Sequence, residues 1–301
     1  MSNKKVRSFI LGTDWWTDCD DAVAIRMLVR AHKDNRIKLL AIGINACMEH
    51  SVTSLDGFVA GHGVTDIPFG IDLAATDYGG NPRFQKNLAP SAVRYSKNED
   101  AENAVSLYRR VLAKAEDKVE IIEIGFPNVL ASLLESCPDE ISPLSGVELV
   151  REKVEKLWVM AGKWDEFGGR EHNFCHGPRS RRAGEILCRL CPVPITFLGF
   201  EVGETVISGG GKVLSEDDLL YSVMCDHGSK DGRSSWDPMT ALMALIGDEY
   251  ASGYSVVRGR ARVDAHSGAN YFEKSEDGPH CFVVKRCEDS YYEEMINRMI
   301  K

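Results

Sequence analysis

Acidic side chains crowd together after the first apolar run of the chain. Residues 12–21 read GTDWWTDCDD and include Asp14, Asp18, Asp20 and Asp21. Carboxylates this close repel one another, and a cation or the amide groups of a helix N-terminus usually offset that repulsion. Helix capping explains one or two of the aspartates, but neither all four nor Asp14, which directly follows the apolar run. The pattern therefore favours a metal or sugar site over capping alone.

The donor types in this segment indicate which kind of metal would bind. The available ligands are carboxylate oxygens, and no His or Cys pair stands at a spacing suitable for a softer metal. Oxygen donors favour hard cations such as calcium or magnesium. The segment is not an EF-hand loop, because the required glycine and the distant glutamate are missing.

Short apolar runs alternate with amphipathic segments along most of the chain. Residues 8–13 predict a buried strand, and Ala22, Ile25, Leu28 and Val29 then recur at helical spacing. The predicted strands span 8–13, 38–45, 66–72, 119–125, 156–162, 194–200 and 253–264, and the predicted helices span 21–32, 51–62, 101–115, 128–136, 179–190, 237–247 and 291–301. This order predicts one α/β domain over residues 1–301, with an open, mostly parallel, Rossmann-like sheet and helices on both faces. The last predicted strand is antiparallel. The sequence does not decide whether the segment 73–99 forms a lid or an interface.

Charge and composition exclude several classes of partner. A net charge of -9 with a pI near 5.5 argues against binding of nucleic-acid polymers, and the one dense basic run, Arg179, Arg181 and Arg182, fits the start of a helix. Cys188 and Cys191 form a CxxC without the second pair that a zinc site needs. No apolar stretch has the length of a membrane span, and the N-terminal residues lack the apolar region of a secretory signal. We therefore expect a cytoplasmic protein with no membrane partner.

Four segments, taken in order, resemble the inosine–uridine-preferring nucleoside hydrolase family. They are TDWWTDCDDAVAI (13–25), IEIGFPNVLASLL (122–134), GGREHNFCHGP (168–178) and SSWDPMTALMAL (234–245). A fifth, FLGFEVGETVISG (197–209), is also similar to a stretch of these proteins. The resemblance implies a nucleoside hydrolase-like fold and calcium-dependent hydrolysis of an N-glycosidic bond, which releases a base and ribose. It also implies a homodimer or homotetramer.

The resemblance further implies a role for each matching position. Asp14, Asp21 and Asp237 would ligate Ca²⁺ through their carboxylates, and Asn128 would add its backbone carbonyl. Asp14 would also take the proton of a metal-activated water. The residues expected to contact the substrate are Asp20, Asn45, Glu171 and Asn173 on the ribose and Trp236 on the base. The role of Asp18 is left open: it could lie behind the metal ligands and support them, or it could cap a helix.

Several positions depart from the family pattern and leave the leaving group undefined. Trp236 stands where some relatives have a histidine that protonates the departing base; a tryptophan can stack on a base but cannot protonate it. The histidines open as replacements are His172, His176 and His227, and each also fits a solvated loop position. Three other tryptophans, Trp15, Trp16 and Trp164, fit either an aromatic wall for the base or core packing. These departures leave a non-standard ribosyl substrate open.

Two other classes of protein could also carry aspartates or ribose-binding residues of this kind. Phosphatase- or dehalogenase-like hydrolases use an Asp-x-Asp after the first strand, but Trp16 stands two residues after Asp14. The pair Asp18 and Asp20 has the right spacing but lies further into the turn. A non-catalytic ribosyl- or sugar-binding protein on the same scaffold is the second alternative, and calcium-dependent hydrolysis as opposed to simple binding would distinguish it.

Overall fold

The computed structural model of the protein describes residues 6–16 and 18–301. Residues 1–5, on which part of the expectation about a secretory signal rests, lie outside the described residues, as does Thr17. The strands are β1 (Arg7–Thr13), β2 (Ile37–Ile44), β3 (Phe69–Ile71), β4 (Glu102–Asn103), β5 (Val119–Glu123), β6 (Val154–Met160), β7 (Ile195–Leu198), β8 (Ile207–Ser208), β9 (Arg233–Ser234), β10 (Tyr254–Val263), β11 (Asn270–Lys274) and β12 (His280–Lys285).

All but the last of the helices lie between these strands. They are α1 (Asp20–Lys33), α2 (Ser51–Gly61), α3 (Arg83–Leu88), α4 (Ala104–Lys114), α5 (Asn128–Glu135), α6 (Gly146–Lys153), α7 (His172–Cys175), α8 (Pro178–Leu190), α9 (Phe200–Gly203), α10 (Leu219–His227), α11 (Trp236–Ile246) and α12 (Asp289–Ile300). Short 3₁₀ helices span Ala89–Ser91 and Asn98–Asp100. Among the described residues, no helix combines the length and the apolar character needed to cross a membrane.

A ten-stranded sheet forms the centre of the fold, in the order β11-β10-β12-β7-β6-β5-β1-β2-β3-β4. Neighbouring strands from β12 to β4 run parallel, whereas β10 pairs antiparallel with both β11 and β12. The predicted mostly parallel sheet is therefore confirmed, and so is the antiparallel strand near the end of the chain. Strands β8 and β9 form a separate two-stranded sheet outside it.

Alternate side chains of β1 enter two different cores. Phe9 and Leu11 pack with α1, α2, α11 and α12, whereas Ile10 packs with α4, α5, α6 and α8. Successive side chains of a strand point to opposite faces, so a strand that is buried on both faces needs a helix layer on each side. This packing confirms the predicted arrangement of helices on both faces of the sheet.

Local hydrogen bonding explains where the elements differ from the predicted bounds. The helix predicted from residue 101 begins at Ala104, because the side chain of Asn103 accepts hydrogen bonds from the amides of Val105 and Ser106, at 3.0 and 3.1 Å. The strand predicted over 66–72 is confined to β3, and the segment 73–99 contains α3 and the two 3₁₀ helices. Strands β11 and β12 extend the sheet beyond the elements that the sequence predicted.

Candidate functional site

A cavity of about 270 Å³ opens at the carboxyl ends of the central parallel strands. Six carboxyl side chains line it: Asp14, Asp18, Asp20, Asp21, Glu171 and Asp237. The other lining residues are mostly aromatic or apolar: Trp16, Ile124, Met160, His172, Asn173, Phe200, Arg233 and Trp236. The acidic segment after β1 and the late aspartate therefore share one cavity, although most of the chain separates them.

Hydrogen bonds from backbone amides and one hydroxyl group hold the carboxylates in place. The amide of Trp16 donates to Oδ1 of Asp14 at 3.1 Å, and the hydroxyl of Thr13 donates to Oδ1 of Asp21. The amide of Asp237 donates to Oδ2 of Asp20 at 3.2 Å. Asp20 and Asp21 begin α1 and Asp237 lies in the first turn of α11, where the partial positive charge of a helix N-terminus favours carboxylates.

Three of these carboxylates form a compact group. Single oxygens of Asp20, Asp21 and Asp237 lie within 4.8 Å of one another, and all three side chains are buried. Burial raises the pKa of each of these carboxyls well above its usual range, and repulsion between neighbouring carboxylates raises it further. Buried oxygen donors that repel one another in this way fit a hard divalent cation, which would favour their ionised forms.

Asp14 lines the same cavity but stands outside that compact group. The predicted carboxylate ligands were Asp14, Asp21 and Asp237, with the backbone carbonyl of Asn128 as a fourth ligand. The compact group shares Asp21 and Asp237 with that set and contains Asp20 instead of Asp14. Burial raises the pKa of Asp14 to about 8; the amide of Trp16 opposes this rise, and nearby carboxylates add to it. A carboxyl with this pKa exchanges a proton near neutral pH.

Glu171 and Asn173 also reach the cavity, and both are anchored from behind. The two carboxylate oxygens of Glu171 accept hydrogen bonds from the amides of Asn173, at 2.7 Å, and Gly162, at 2.8 Å. Burial raises the pKa of Glu171 to about 7. The side-chain amide of Asn173 donates to the carbonyl of Met160 at 3.0 Å. Backbone groups thus anchor both side chains at the cavity, and their contact with a ribose stays a prediction.

Two predicted site residues do not line this cavity. Asn45 is fully buried. Its side-chain NH₂ group donates to Glu123 at 2.8 Å, and its side-chain oxygen accepts from the backbone amide of Phe126 at 3.1 Å. Asn128 lines a separate groove between α5 and α8. Its side-chain NH₂ group donates to the backbone carbonyl of Asn45 at 3.1 Å and to the carboxylate of Asp72 at 2.8 Å. Between β5 and α5, it is Ile124 that lines the acidic cavity. The side-chain NH₂ groups of both asparagines thus hold neighbouring segments together, whereas Oδ1 of Asn128 is buried without a hydrogen-bond partner among the described residues.

Arg233 is a cavity residue that the sequence did not single out. Its guanidinium donates from Nε to Oδ1 of Asp18 at 2.9 Å and from Nη2 to Oδ2 at 2.6 Å. Although burial alone would raise the pKa of Asp18, the hydrogen bonds and the charge of Arg233 outweigh it and lower that pKa. Asp18 is therefore an ion-paired residue at the cavity. The nearness of Arg233 to Trp236 and Asp237 in sequence was the one available signal for it.

Asp18 belongs to a second group of potential ligands. Single ligand atoms of Asp18, Cys19 and His227 lie within 4.8 Å of one another. The carboxylate already accepts the fork of Arg233, and burial raises the pKa of the Cys19 thiol, so that the neutral thiol is favoured. This group therefore suits a cation less well than the buried aspartates do.

The tryptophans divide between cavity and core. Trp16 lines the cavity, and its indole donates to the carbonyl of Gly79 at 2.8 Å. Trp15 is fully buried with a φ of 46°, a left-handed conformation that is rare for a bulky residue, and its indole donates to Ser54 at 2.8 Å. Trp164 packs in the core, with its ring 5.0 Å from that of Phe197. Trp16 is thus the one member of this trio at the cavity.

Trp236 and His172 also line the cavity, whereas His176 and His227 do not. The indole of Trp236 donates to the carbonyl of Phe200 at 2.7 Å, and its ring stacks on that of Phe200 at 5.3 Å. The ring of His172 stacks on that of Trp16 at 5.9 Å. Desolvation lowers the pKa of His172 to about 4, the charge of His176 adds to this fall and that of Asp18 opposes it, although the residue as a whole is exposed.

No protein-family model and no curated protein sequence matches the chain. Solved structures match it over almost its whole length. The inosine–uridine-preferring nucleoside hydrolase from Bacillus anthracis has a TM-score of 0.70 and 15% sequence identity, and the match covers 99% of each chain. This likeness confirms the predicted nucleoside hydrolase-like α/β fold.

Two effector proteins are also similar in structure. Effector protein XOO4466 has a TM-score of 0.66 and 13% identity, over 98% of this chain and 93% of that one. Type III effector protein XopQ, solved in complex with adenosine diphosphate ribose, has a TM-score of 0.67 and 13% identity, over 98% of this chain and 94% of that one. At these identities the matches show a shared fold.

Proposed function

We propose that this protein is a metal-dependent hydrolase that cleaves the N-glycosidic bond of a ribonucleoside or related N-ribosyl compound. One observation carries the proposal: the buried carboxylates of Asp20, Asp21 and Asp237 converge in one cavity, which Asp14 also lines. That cavity lies outside the carboxyl ends of the parallel strands, the usual ligand position in such sheets. The likeness in fold to a nucleoside hydrolase supports this choice of reaction.

The proposed metal is Ca²⁺, held by the carboxylates of Asp14, Asp21 and Asp237, with Asp20 adjoining them. When bound, it would supply positive charge that polarises a water molecule and the sugar hydroxyls. All four side chains offer only oxygen donors, and the pKa of each is raised by burial. A hard cation in the cavity would offset both the burial and the mutual repulsion.

The residues of the chain then divide the chemistry between them. Asp14 takes the proton of the attacking water, because it lines the cavity beside the clustered carboxylates and a bound cation would favour its ionised form. Glu171 and Asn173 orient the ribose, since backbone groups hold both side chains from behind. The water oxygen bonds to the anomeric carbon, and the electron pair of the broken C–N bond goes to the base. The surrounding carboxylates stabilise the positive charge that develops on the sugar.

A ribose-release assay tests this proposal directly. Purified protein is incubated with a panel of ribonucleosides, with calcium or with a chelator, and free ribose is measured. We expect calcium-dependent release that is lost in Asp14→Asn and retained in Asp66→Asn, a control whose side chain is 74% exposed. Release that persists equally in the chelator and in Asp14→Asn would contradict the proposal.

A non-catalytic ribosyl-binding protein is the second candidate function. The observation that favours it is the shared fold of XopQ, whose structure was solved with adenosine diphosphate ribose. Titration calorimetry with adenosine diphosphate ribose, run beside the ribose-release assay, separates the two candidates. Binding without release from any ribosyl compound, in protein that binds calcium, would favour the binding role.

A further inference from the structure

The residues that line the cavity differ in their exposure, which separates a floor from a mouth. Asp14, Asp20, Asp21, Glu171 and Asp237 are buried and form the floor. The mouth consists of the half-buried side chains Asp18, Phe200, Arg233 and Trp236 together with the exposed His172. A ribose bound at the floor would direct its leaving group towards the mouth.

The polar side chains of the mouth are committed to one another. The Nε and Nη2 groups of Arg233 donate to both oxygens of Asp18, so these two residues form a closed ion pair. The indole N–H of Trp236 donates to the carbonyl of Phe200. A guanidinium holds its protons, and an indole is not an acid, so neither group can transfer a proton to a departing base.

His172 is the remaining titratable side chain of the mouth. Its ring lies 5.9 Å from that of Trp16 and 4.6 Å from that of His176. Within residues 6–16 and 18–301, no hydrogen bond joins the ring to a group that would stabilise its charged form. The lowered pKa of His172 agrees with this environment, since it leaves the imidazole neutral near neutral pH. Among the described residues, the side chains of the mouth thus offer no general acid, and the floor carboxyls are assigned to the cation and the ribose.

The charge of the cavity also selects among leaving groups. Six carboxyl side chains and one guanidinium line it. A bound divalent cation favours the ionised carboxylates, so an excess of negative charge remains beside it. A cavity of one charge sign attracts ligands of the opposite sign. Aromatic side chains at the cavity, Trp16, Phe200 and Trp236, suit a planar ring.

We propose that the site acts on N-ribosyl pyridinium compounds, whose glycosidic nitrogen belongs to a positively charged aromatic ring. This inference rests on the proposed hydrolase function and names its substrate class. In the reaction, the water oxygen bonds to the anomeric carbon and the C–N bond breaks. The bonding electron pair neutralises the ring nitrogen, the water proton goes to Asp14, and a neutral pyridine leaves without needing a proton. A neutral purine or pyrimidine nucleoside would lack the acid that its leaving group requires.

The test compares four substrates with the calcium-loaded protein near neutral pH: nicotinamide riboside, inosine, uridine and p-nitrophenyl riboside. General acid catalysis contributes at least about 100-fold, so we expect kcat/KM for nicotinamide riboside to exceed the values for inosine and uridine by that factor or more. The nitrophenyl compound also leaves without a proton but carries no positive charge. Its kcat/KM should fall below that of nicotinamide riboside, by a margin that shrinks as salt is added.

Two variants show whether a hidden acid exists. His172→Gln should leave the ratio of nicotinamide riboside to inosine cleavage unchanged; a selective loss of inosine cleavage would assign the acid to His172 and overturn the inference. Trp236→His places an imidazole at the mouth and should lower the ratio of kcat/KM for nicotinamide riboside to kcat/KM for inosine. Retained cleavage of nicotinamide riboside shows that the variant has folded. The two variants change different elements, so failure of one to fold leaves the other decisive.

The outcomes separate this inference from the proposed function. Equal or faster cleavage of inosine and uridine would overturn the pyridinium assignment and leave the hydrolase intact. Failure to cleave any of the four compounds, the nitrophenyl riboside included, would overturn both.

Discussion

The backbone amide of Asp237 donates a hydrogen bond of 3.2 Å to a carboxylate oxygen of Asp20, across 217 residues of sequence. The contact joins the N-terminal ends of α1 and α11 at the cavity. Each helix brings a carboxylate and the partial positive charge of its first turn. These partial charges offset some of the repulsion within the acidic cluster, and a cation would offset the rest.

Loss of one clustered carboxylate should weaken calcium binding. We expect Asp237→Asn to lower the affinity at least about 10-fold, because even loss of an outer hydrogen-bond partner of a metal ligand costs that much. Titration calorimetry measures the affinity, and Asp66→Asn, which alters an exposed aspartate, is the matched control. An unchanged affinity in Asp237→Asn would remove this residue from the site.

Calcium binding should release protons near neutral pH. Without a cation, burial raises the pKa of Asp14 to about 8, and that of Asp21 is also raised, so these carboxyls are partly protonated. Binding favours their ionised forms, and the affinity should therefore rise with pH. Calorimetry in two buffers of different ionisation enthalpy counts the protons, and Asp14→Asn should release fewer. Heats that do not depend on the buffer would contradict the prediction.

Glu123 should destabilise the folded protein as pH rises. It is fully buried, its Oε2 has no hydrogen-bond partner within residues 6–16 and 18–301, and burial raises its pKa from 4.5 to about 8. A raised folded-state pKa means that the folded protein holds the proton more tightly than the unfolded chain does. The stability linked to this group is therefore present below about pH 4.5 and lost as pH rises towards about 8.

Glu123→Gln removes that titration and so tests the sign. The variant should gain stability relative to the parent across this pH range, by at most about 1.4 kcal/mol per pH unit, and the gain should level off above it. Urea unfolding at several pH values measures the difference in the free energy of unfolding. The chelator is present throughout, so that the acidic cluster contributes equally to both proteins. A constant difference at every pH would show that Glu123 does not titrate as described.

The ion pair between Arg233 and Asp18 should contribute modestly to stability. Their side chains are 33% and 30% exposed, so solvent screens the pair more than it would screen a buried one. A double-mutant cycle of Arg233→Gln and Asp18→Asn, followed by urea unfolding, should give a coupling free energy of about 1 kcal/mol. A coupling near zero would mean that the pair does not persist in solution.

Much of the fold was predictable from the sequence, because strand and helix patterns are local. The apolar run of β1 and the helical spacing within α1 each require only a few neighbouring residues. Strand β12 was missed: its six residues, HCFVVK, are short, and pairing with β7 and β10 holds them in place. Pairing between distant strands leaves little trace in a local pattern.

The sequence indicated which segments meet at the cavity but not the direction of every side chain. Asp14 directly follows the parallel strand β1 and so lies at the ligand-binding edge. Glu171 caps α7 and Asp237 lies in the first turn of α11, and both reach the same cavity. Asn45 follows β2 in the same way, but its side chain turns towards Glu123. Arg233 lies on β9, which pairs with β8. No spacing in the sequence indicates that these two strands pair.

The pairing of β8 with β9 places Arg233 on a small two-stranded sheet outside the ten-stranded sheet. The floor carboxylates, in contrast, are built on the edge of that sheet and on the helices packed against it. Tolerance to mutation should therefore differ between the two units: the small sheet can change residue by residue while the acidic cluster stays in place. Directed evolution of a new leaving-group preference would begin with randomised positions around Ser208 and Arg233, and the carboxylates would be left untouched.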